Sequence, residues 1–435
     1  MISRLLRHAA GIKVLVLKGT EALAGAAMTI YLARILGPAE FGVFAFGLAT
    51  IMLLAIPIKN GASTLITKHV AIAREGNGAE QASPLLKTGI RLSLIYASAI
   101  IMALWGVVMM SDSENVFIAS VAVFSLVLPF LCVTGLMEGV LRGSFRPNAA
   151  ILVGTVLVPL LVLGVAFLLT EQMRNQGWAY AVHLYIGAGA AITVLSIALA
   201  WPYLRSLFSQ HDSSSMNGTE WLSLVAPFAI VTGLLIFNRQ IDTILLGTLA
   251  GEKEAGIYRI AAQASVLVTF GMQAIGHLYA PYLATADKTA ASSKISGYLR
   301  KSVLFSVAFG GLALITLALW GDEVIRLLAG PEYLEAYPVM LVLCTANLAV
   351  AVNGATMQAL YMQGHQKRTA WIFFAAGVLS VVANASLIPY LGINGAAIAT
   401  STAIVTWSLG LRWLACDVWQ LSFLTLSPRL QEQKP

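Results

Sequence analysis

Four basic side chains, Lys18, Lys59, Arg239 and Arg259, lie inside apolar stretches long enough to cross a bilayer. A charge at the bilayer centre costs about 3 kcal/mol on insertion scales, so such a residue normally faces a water-filled or protein-lined cavity. Arginine offers a phosphate parallel N–H donors and lysine a compact point charge. The chemistry open to these four is therefore the binding of an anion within the membrane. Glu21 and Asp242 accompany them, and four cations against two acids leave an excess of two positive charges.

Spacing sorts the candidates. Lys18 with Glu21 and Arg239 with Asp242 are three residues apart, so each can also be an intrahelical ion pair that makes a polar helix tolerable. Lys59, beside the helix-breaking residues Pro57, Asn60 and Gly61, and Arg259 have no acid one turn away, which makes them the expected phosphate contacts. At roughly 100° per residue, Gln263, Gln273 and His277 share a face of about 80° with Arg259. Lys59, Asn60, Ser63 and Thr67 span about 100°, as do Thr232, Arg239, Asp242 and Thr243, while Lys18, Glu21 and Thr29 span about 80°. Structural readings stand beside these: Lys59 can snorkel from a kink, and the glutamines can bond neighbouring helices. Glu21, Asp242 and His277 are the candidates for coupling to a proton or sodium gradient, His277 because imidazole titrates near pH 6.5. Glu138 and Arg142, four apart, read as a structural pair near a cytoplasmic helix end.

The elements that must position these side chains follow from composition. A chain that is 58% hydrophobic and 11% charged over 435 residues is a polytopic membrane protein. Windows of about 20 apolar residues predict twelve spans, at roughly 12–34, 41–67, 88–110, 116–141, 148–170, 178–201, 221–249, 255–284, 302–320, 338–362, 369–389 and 395–416. The four charges fall in the first, second, seventh and eighth, which predicts a central hydrophilic cavity lined by those spans. Cys132, Cys344 and Cys416 all lie within spans, so no disulfide framework is expected, and no metal-ligand spacing occurs. Basic residues at the N-terminus lack a short apolar core and cleavage site, which reads as a retained cytoplasmic segment.

Orientation follows the positive-inside bias. With the N-terminus inside, cytoplasmic segments hold 19 of the 27 lysines and arginines: Arg4, Arg7, Lys13, Lys68, Arg74, Lys87, Arg91, Arg142, Arg146, Arg205, Lys288, Lys294, Arg300, Lys301, Lys367, Arg368, Arg412, Arg429 and Lys434. Outside loops hold Arg34, Arg174, Lys253 and Arg326, among acids such as Glu252, Asp322 and Glu332. Both termini are thus expected in the cytoplasm. The net charge of +7 is accounted for by this bias and requires no nucleic-acid partner.

The chain also repeats. Gly37-Pro38-Ala39-Glu40-Phe41-Gly42 matches Gly251-Glu252-Lys253-Glu254-Ala255-Gly256 at a shift of 214, and Leu141-Arg142-Gly143-Ser144-Phe145-Arg146 matches Met362-Gln363-Gly364-His365-Gln366-Lys367 at a shift of 221. A parallel duplication is expected, with an N-terminal six-helix lobe over 1–205, a polar cytoplasmic linker over 206–220, and a C-terminal lobe with a short tail over 221–435.

Several stretches resemble the polysaccharide (O-antigen and exopolysaccharide) flippases of the multidrug/oligosaccharidyl-lipid/polysaccharide exporter superfamily. They are Leu32-Ala33-Arg34-Ile35-Leu36-Gly37-Pro38-Ala39-Glu40-Phe41-Gly42, Arg239-Gln240-Ile241-Asp242, Ala255-Gly256-Ile257-Tyr258, Leu328-Ala329-Gly330-Pro331-Glu332-Tyr333 and Leu387-Ile388-Pro389-Tyr390-Leu391-Gly392-Ile393-Asn394-Gly395. The resemblance implies an all-α, MATE-like fold of twelve transmembrane helices in two six-helix lobes forming a V. It implies alternating-access translocation of a polyprenyl-pyrophosphate-linked oligosaccharide across a bacterial plasma (inner) membrane for lipopolysaccharide, exopolysaccharide or capsule assembly. Lys59, Arg259, Arg239, Lys18, Asn60, Gln263 and Gln273 would then bind substrate in the cavity. Expected partners are the lipid-linked anionic glycan, membrane lipids, and a polymerase and glycosyltransferases of the same pathway. No cofactor is expected beyond coupling to protons or sodium. A proton- or sodium-coupled multidrug antiporter of the same fold is the alternative, although a carboxylate-rich cavity would suit it better. A membrane enzyme is disfavoured, because the longest loops are about twenty residues and hold no cluster of carboxylates or histidines.

Overall fold

In hydrocarbon, backbone N–H and C=O groups must be paired within the protein, so apolar windows of this length fold as helices. The computed structural model describes residues 2–74, 79–110, 115–208, 216–284, 291–423 and 425–426. Its helices are α1 (Ile2–Leu54), α2 (Ser63–Arg74), α3 (Ala79–Met110), α4 (Val116–Ser125), α5 (Leu128–Gly143), α6 (Pro147–Ile151), α7 (Leu157–Leu168), α8 (Thr170–Phe208), α9 (Gly218–Leu249), α10 (Glu252–Ser265), α11 (Leu267–Ala284), α12 (Ala291–Leu328), α13 (Ala336–Ala351), α14 (Thr356–Met362) and α15 (Gln366–Trp419). Two π-helical segments, Ile56–Ala62 and Leu152–Val156, precede α2 and α7.

Helices cover every predicted window, though not one to one. α1 carries the first window and much of the second across Gly37 (φ 74°, ψ 171°), and α15 carries the last two across Gly392 (φ 54°, ψ −130°). The fourth window is α4 and α5, bent by 45°, and the tenth is α13 and α14, bent by 47°. By length and apolarity alone, 7 of the described helices can cross a membrane, or up to 9 with each bent pair joined. Two windows merged in each of α1 and α15, and the interruption of the eighth window at Val266 between α10 and α11, keep this consistent with twelve.

Packing divides the chain into two compact units, Val16–Gly256 and Ile257–Pro435 with Met1–Leu15. α9 packs in the first of them, and residues 209–215 of the predicted linker lie outside the described residues. In the first unit, glycines on α5 let backbones approach, as small residues do between membrane helices. A β-carbon on Gly135 would fall 2.6 Å from Lys59 Cα, one on Gly139 2.6 Å from the Ser63 carbonyl oxygen, and one on Gly143 2.7 Å from that of Thr67. Trp221, 2% exposed, anchors α9 by donating Nε1–H to the Leu85 carbonyl at 3.2 Å. In the second unit, Asn353 donates to the Ser408 hydroxyl at 2.6 Å, and Arg412 donates to the Phe423 and Val352 carbonyls at 2.8 and 2.9 Å. All three cysteines are buried and none of them is in a disulfide among the described residues.

The repeat is visible in backbone geometry, with one change of register. Gly37 and Gly251 both take positive φ, as the shift of 214 requires, and Gly177 and Gly392 form a further pair at 215. At the second match, however, the helix-ending geometry pairs Phe145 (φ 58°) with Gly364 (φ 86°), a shift of 219 rather than 221. Arg146 donates its amide to Leu141 and His365 to Leu360, the same closing bond at each end. The two glycines that suggested 221 occupy different places in the motif, because the left-handed position is glycine in one half and phenylalanine in the other.

Candidate functional site

Lys59 sits in the middle of the π-helical segment Ile56–Ala62, which begins at Pro57 in its first turn. Proline lacks an amide donor and opens the helical ladder. A wider turn is the outcome, and such bulges occur frequently at functional sites. The segment is held on two sides. Gly135 of α5 lies against the Lys59 backbone, and on α9 Gly233 and Ala229 lie against Ile56 and Gly61: a β-carbon on Gly233 would be 3.0 Å from Ile56 Cγ2, and one on Gly61 2.7 Å from Ala229 Cβ. Lys59 and Asn60 are both half-buried.

Neighbours on the predicted face of Lys59 divide. Thr67 donates to the Gly139 carbonyl at 3.3 Å and to Ser63 at 2.8 Å, and Ser63 is 2% exposed, so these two belong to the contact with α5. On α1, Lys18 Nζ is 2.6 Å from Glu21 Oε2. On α9, Asp242 is 4% exposed whereas Arg239 is exposed. The field of Glu21 reaches Arg239, and it also acts on Lys59. The first unit thus gathers Lys18, Glu21, Lys59 and Arg239 into one electrostatic group.

Arg259, Gln263 and Gln273 belong to the second unit. All three are half-buried, and Gln273 Nε2 is 3.4 Å from the Thr269 hydroxyl. The common face predicted for them assumed one continuous helix, but Val266 interrupts it, so rotation cannot be carried from Arg259 to Gln273 at a constant angle. The side chain of His277 lies outside the described residues.

The predicted pair of Glu138 with Arg142 forms, but two features escaped the sequence reading: the packing of Glu138 on another span and a polar pair on α14. Glu138, 4% exposed and ion-paired to Arg142, lies against Gly154, where a β-carbon would come within 2.6 Å of its carboxyl carbon. On α14, Gln358 Oε1 and the Tyr361 hydroxyl are buried with no hydrogen-bond partner among the described residues, and Gln358 faces Gly276 of α11. The available signal was two polar residues one helical turn apart at the end of the tenth window.

Residues 10–286 match the family model described as polysaccharide biosynthesis protein. The chain belongs to this family. A relative from Haloferax volcanii, named a probable low-salt glycan biosynthesis flippase Agl15, is 24% identical over 377 residues, covering 85% of this chain and 75% of that protein. Among solved structures, the lipid II flippase MurJ in an inward closed conformation superposes with a TM-score of 0.69 at 12% identity, covering 93% of this chain and 88% of that one. An inward-facing multidrug resistance MATE family transporter of the MOP superfamily gives 0.67 at 17% identity, covering 92% and 94%. The chain therefore has the all-α exporter fold of a multi-pass membrane protein.

Proposed function

We propose that this protein is a flippase that carries a lipid-linked oligosaccharide across the membrane by alternating access, its pyrophosphate held by Lys59 and Arg259 with Arg239 and Lys18 adding positive field. The observation that carries this reading is Lys59 in a π-helical turn of the second apolar window, in a chain of the polysaccharide biosynthesis family. A charge inside an apolar window of a membrane protein is by default a candidate for function. Asn60, Gln263 and Gln273 supply neutral donors to the saccharide. The two predicted six-helix lobes would open alternately to either face, and the lipid tail would stay in the bilayer.

The setting that fits is a bacterial plasma membrane with both termini in the cytoplasm, upstream of a glycan polymerase and downstream of glycosyltransferases. No bond is made or broken in this task, so the protein acts as a transporter and not as an enzyme. Glu21, Asp242 and His277 stay as coupling candidates.

Reconstitution in vesicles with a fluorescent polyprenyl-pyrophosphate oligosaccharide tests the proposal. Protein-dependent movement of the label to the opposite leaflet is expected. Its absence, together with uptake of organic cations driven by a proton or sodium gradient, would assign the chain to drug export instead.

A further inference from the structure

Phe145 holds a backbone conformation that its own side chain opposes. It stands in the left-handed region (φ 58°) at the turn between α5 and α6, where the other half of the repeat places Gly364. Glycine adopts that backbone freely and a residue with a β-carbon does not, so a phenylalanine kept there points to a task for the ring. The core does not use it: Phe145 is 64% exposed, with exposed arginines on either side, Arg142 and Arg146.

Other helix ends meet at this turn. Arg74, which ends α2, donates Nη1–H to the Ser144 carbonyl at 3.1 Å and lies 5.0 Å over the Tyr203 ring near the end of α8. Lys87, near the start of α3, lies 5.5 Å over the ring of Phe208, the last residue of α8. The turn that carries Phe145 and Arg146 and the helix end that carries Arg205 are thus joined through one side chain, Arg74. Arg74, Lys87, Arg142, Arg146 and Arg205 are all exposed. Among the described residues of these ends the acids are Glu138, buried and already paired to Arg142, and Glu220 in the first turn of α9. Neither Arg146 nor Arg205 has a side-chain hydrogen bond or ion pair among the described residues. Trp201, 60% exposed and one turn before Arg205, adds a ring of the kind enriched at membrane interfaces.

Uncompensated cations beside exposed rings match an anionic bilayer surface, where lipid phosphates attract the charge and the rings enter the boundary with the acyl chains. Arginine also donates to phosphate oxygens in pairs. We propose that the end of the first unit where α2, α3, α5 and α8 meet is a docking surface for the headgroups of anionic glycerophospholipids, with Arg146 and Arg205 on the phosphates and Phe145 set into the acyl boundary. The surface is separate from Lys59, and the inference does not depend on what Lys59 binds.

The test is native mass spectrometry of the full-length protein in detergent, titrated with phosphatidylglycerol or with phosphatidylcholine of the same acyl chains. Wild type should retain phosphatidylglycerol in preference. R146Q with R205Q should lower that preference by roughly thirtyfold, each cation near a charged surface contributing about fivefold. R174Q with R326Q removes the same two charges, Arg174 from the opposite end of α8, and should leave the preference unchanged. Phosphatidylglycerol bound no better than phosphatidylcholine overturns the proposal, as it does if both double variants lose the preference equally, which is the result expected of net charge alone. F145G keeps every charge: it should raise the melting temperature in lipid-free detergent and weaken retention of both lipids alike. A lowered melting temperature, or lipid retention equal to wild type, overturns the role of Phe145, and this arm holds even if R146Q with R205Q does not fold.

Discussion

Gly42 and Gly256 pack against each other reciprocally. A β-carbon on either would lie 3.0 Å from the other's amide nitrogen; on Gly42 it would also collide with the Glu252 carbonyl, and on Gly256 with that of Pro38. Pro38 and Glu252 are themselves equivalent under the shift of 214, so residue i of one repeat meets residue j of the other and j meets i. The contact is reciprocal within this one unit. G42A or G256A should each cost at least about 1–3 kcal/mol, the usual range for overpacking, because the obstructing atoms are backbone. Thermal unfolding in detergent will show it. G25A is the control, since no atom outside its own helix backbone and chain neighbours lies within 4 Å of a β-carbon there.

Sequence made this contact half legible. Gly37 and Gly42, with their copies at Gly251 and Gly256, announced the repeat. That the two copies touch is a fact of packing, invisible along the chain. Gly177 and Gly392 went unmatched because a lone glycine near an apolar window carries no neighbours to align. Pro57, Asn60 and Gly61 did mark a break at Lys59, although not that the chain stays helical through it with a wider turn. The stripe on the eighth span failed where a constant period was carried across Val266. Glu138 and Arg142 were legible as a structural pair from their spacing, but linear position near a helix end does not show burial, which comes from Gly154 on another span.

Glu40 shows how a conspicuous acid can be structural. Its Oε2 accepts the Trp178 amide at 2.7 Å where α8 resumes after the non-helical Gly177 (φ 65°). A carboxylate on a free helix-terminal amide also favours the helix dipole. E40A should therefore destabilise the fold by about 0.5–2 kcal/mol, the range for a lost cap, and E40Q by less. Both are expected to leave the affinity for lipid-linked pyrophosphate unchanged, which ligand titration of the detergent-solubilised variants checks.

His69, beyond the second span, gives a pH signature. Burial, reinforced by the neighbouring Lys68, holds its imidazole below the ordinary range. The unfolded chain then binds the proton more readily than the folded one, so the contribution of neutral His69 to stability is present above about pH 6.5 and is lost as pH falls through the folded value. Melting temperature should drop between about pH 7.5 and about pH 5.5, and H69Q should flatten that part of the drop. A profile identical in wild type and H69Q would refute this assignment.

Lys18 and Lys59 differ in a way that function should reflect. Lys18 is tied to Glu21 at 2.6 Å on its own helix, whereas Lys59 stands in a π-helical turn with no acid one turn away. A cation already paired on its own helix has less to offer a phosphate, because the ligand must first displace the carboxylate. Losing one charge-assisted contact costs about 1.5–3 kcal/mol, roughly tenfold to a hundredfold in affinity. K59Q should therefore lower binding of a polyprenyl pyrophosphate by that factor, and K18Q by well under tenfold. The double change K18Q with E21Q should come closer to wild type than K18Q alone, since it removes the acid left without its lysine. Equal losses in K18Q and K59Q, measured by titration in nanodiscs and by translocation in vesicles, would show that the intrahelical pair opens when substrate binds and that Lys18 takes a full share of the phosphate.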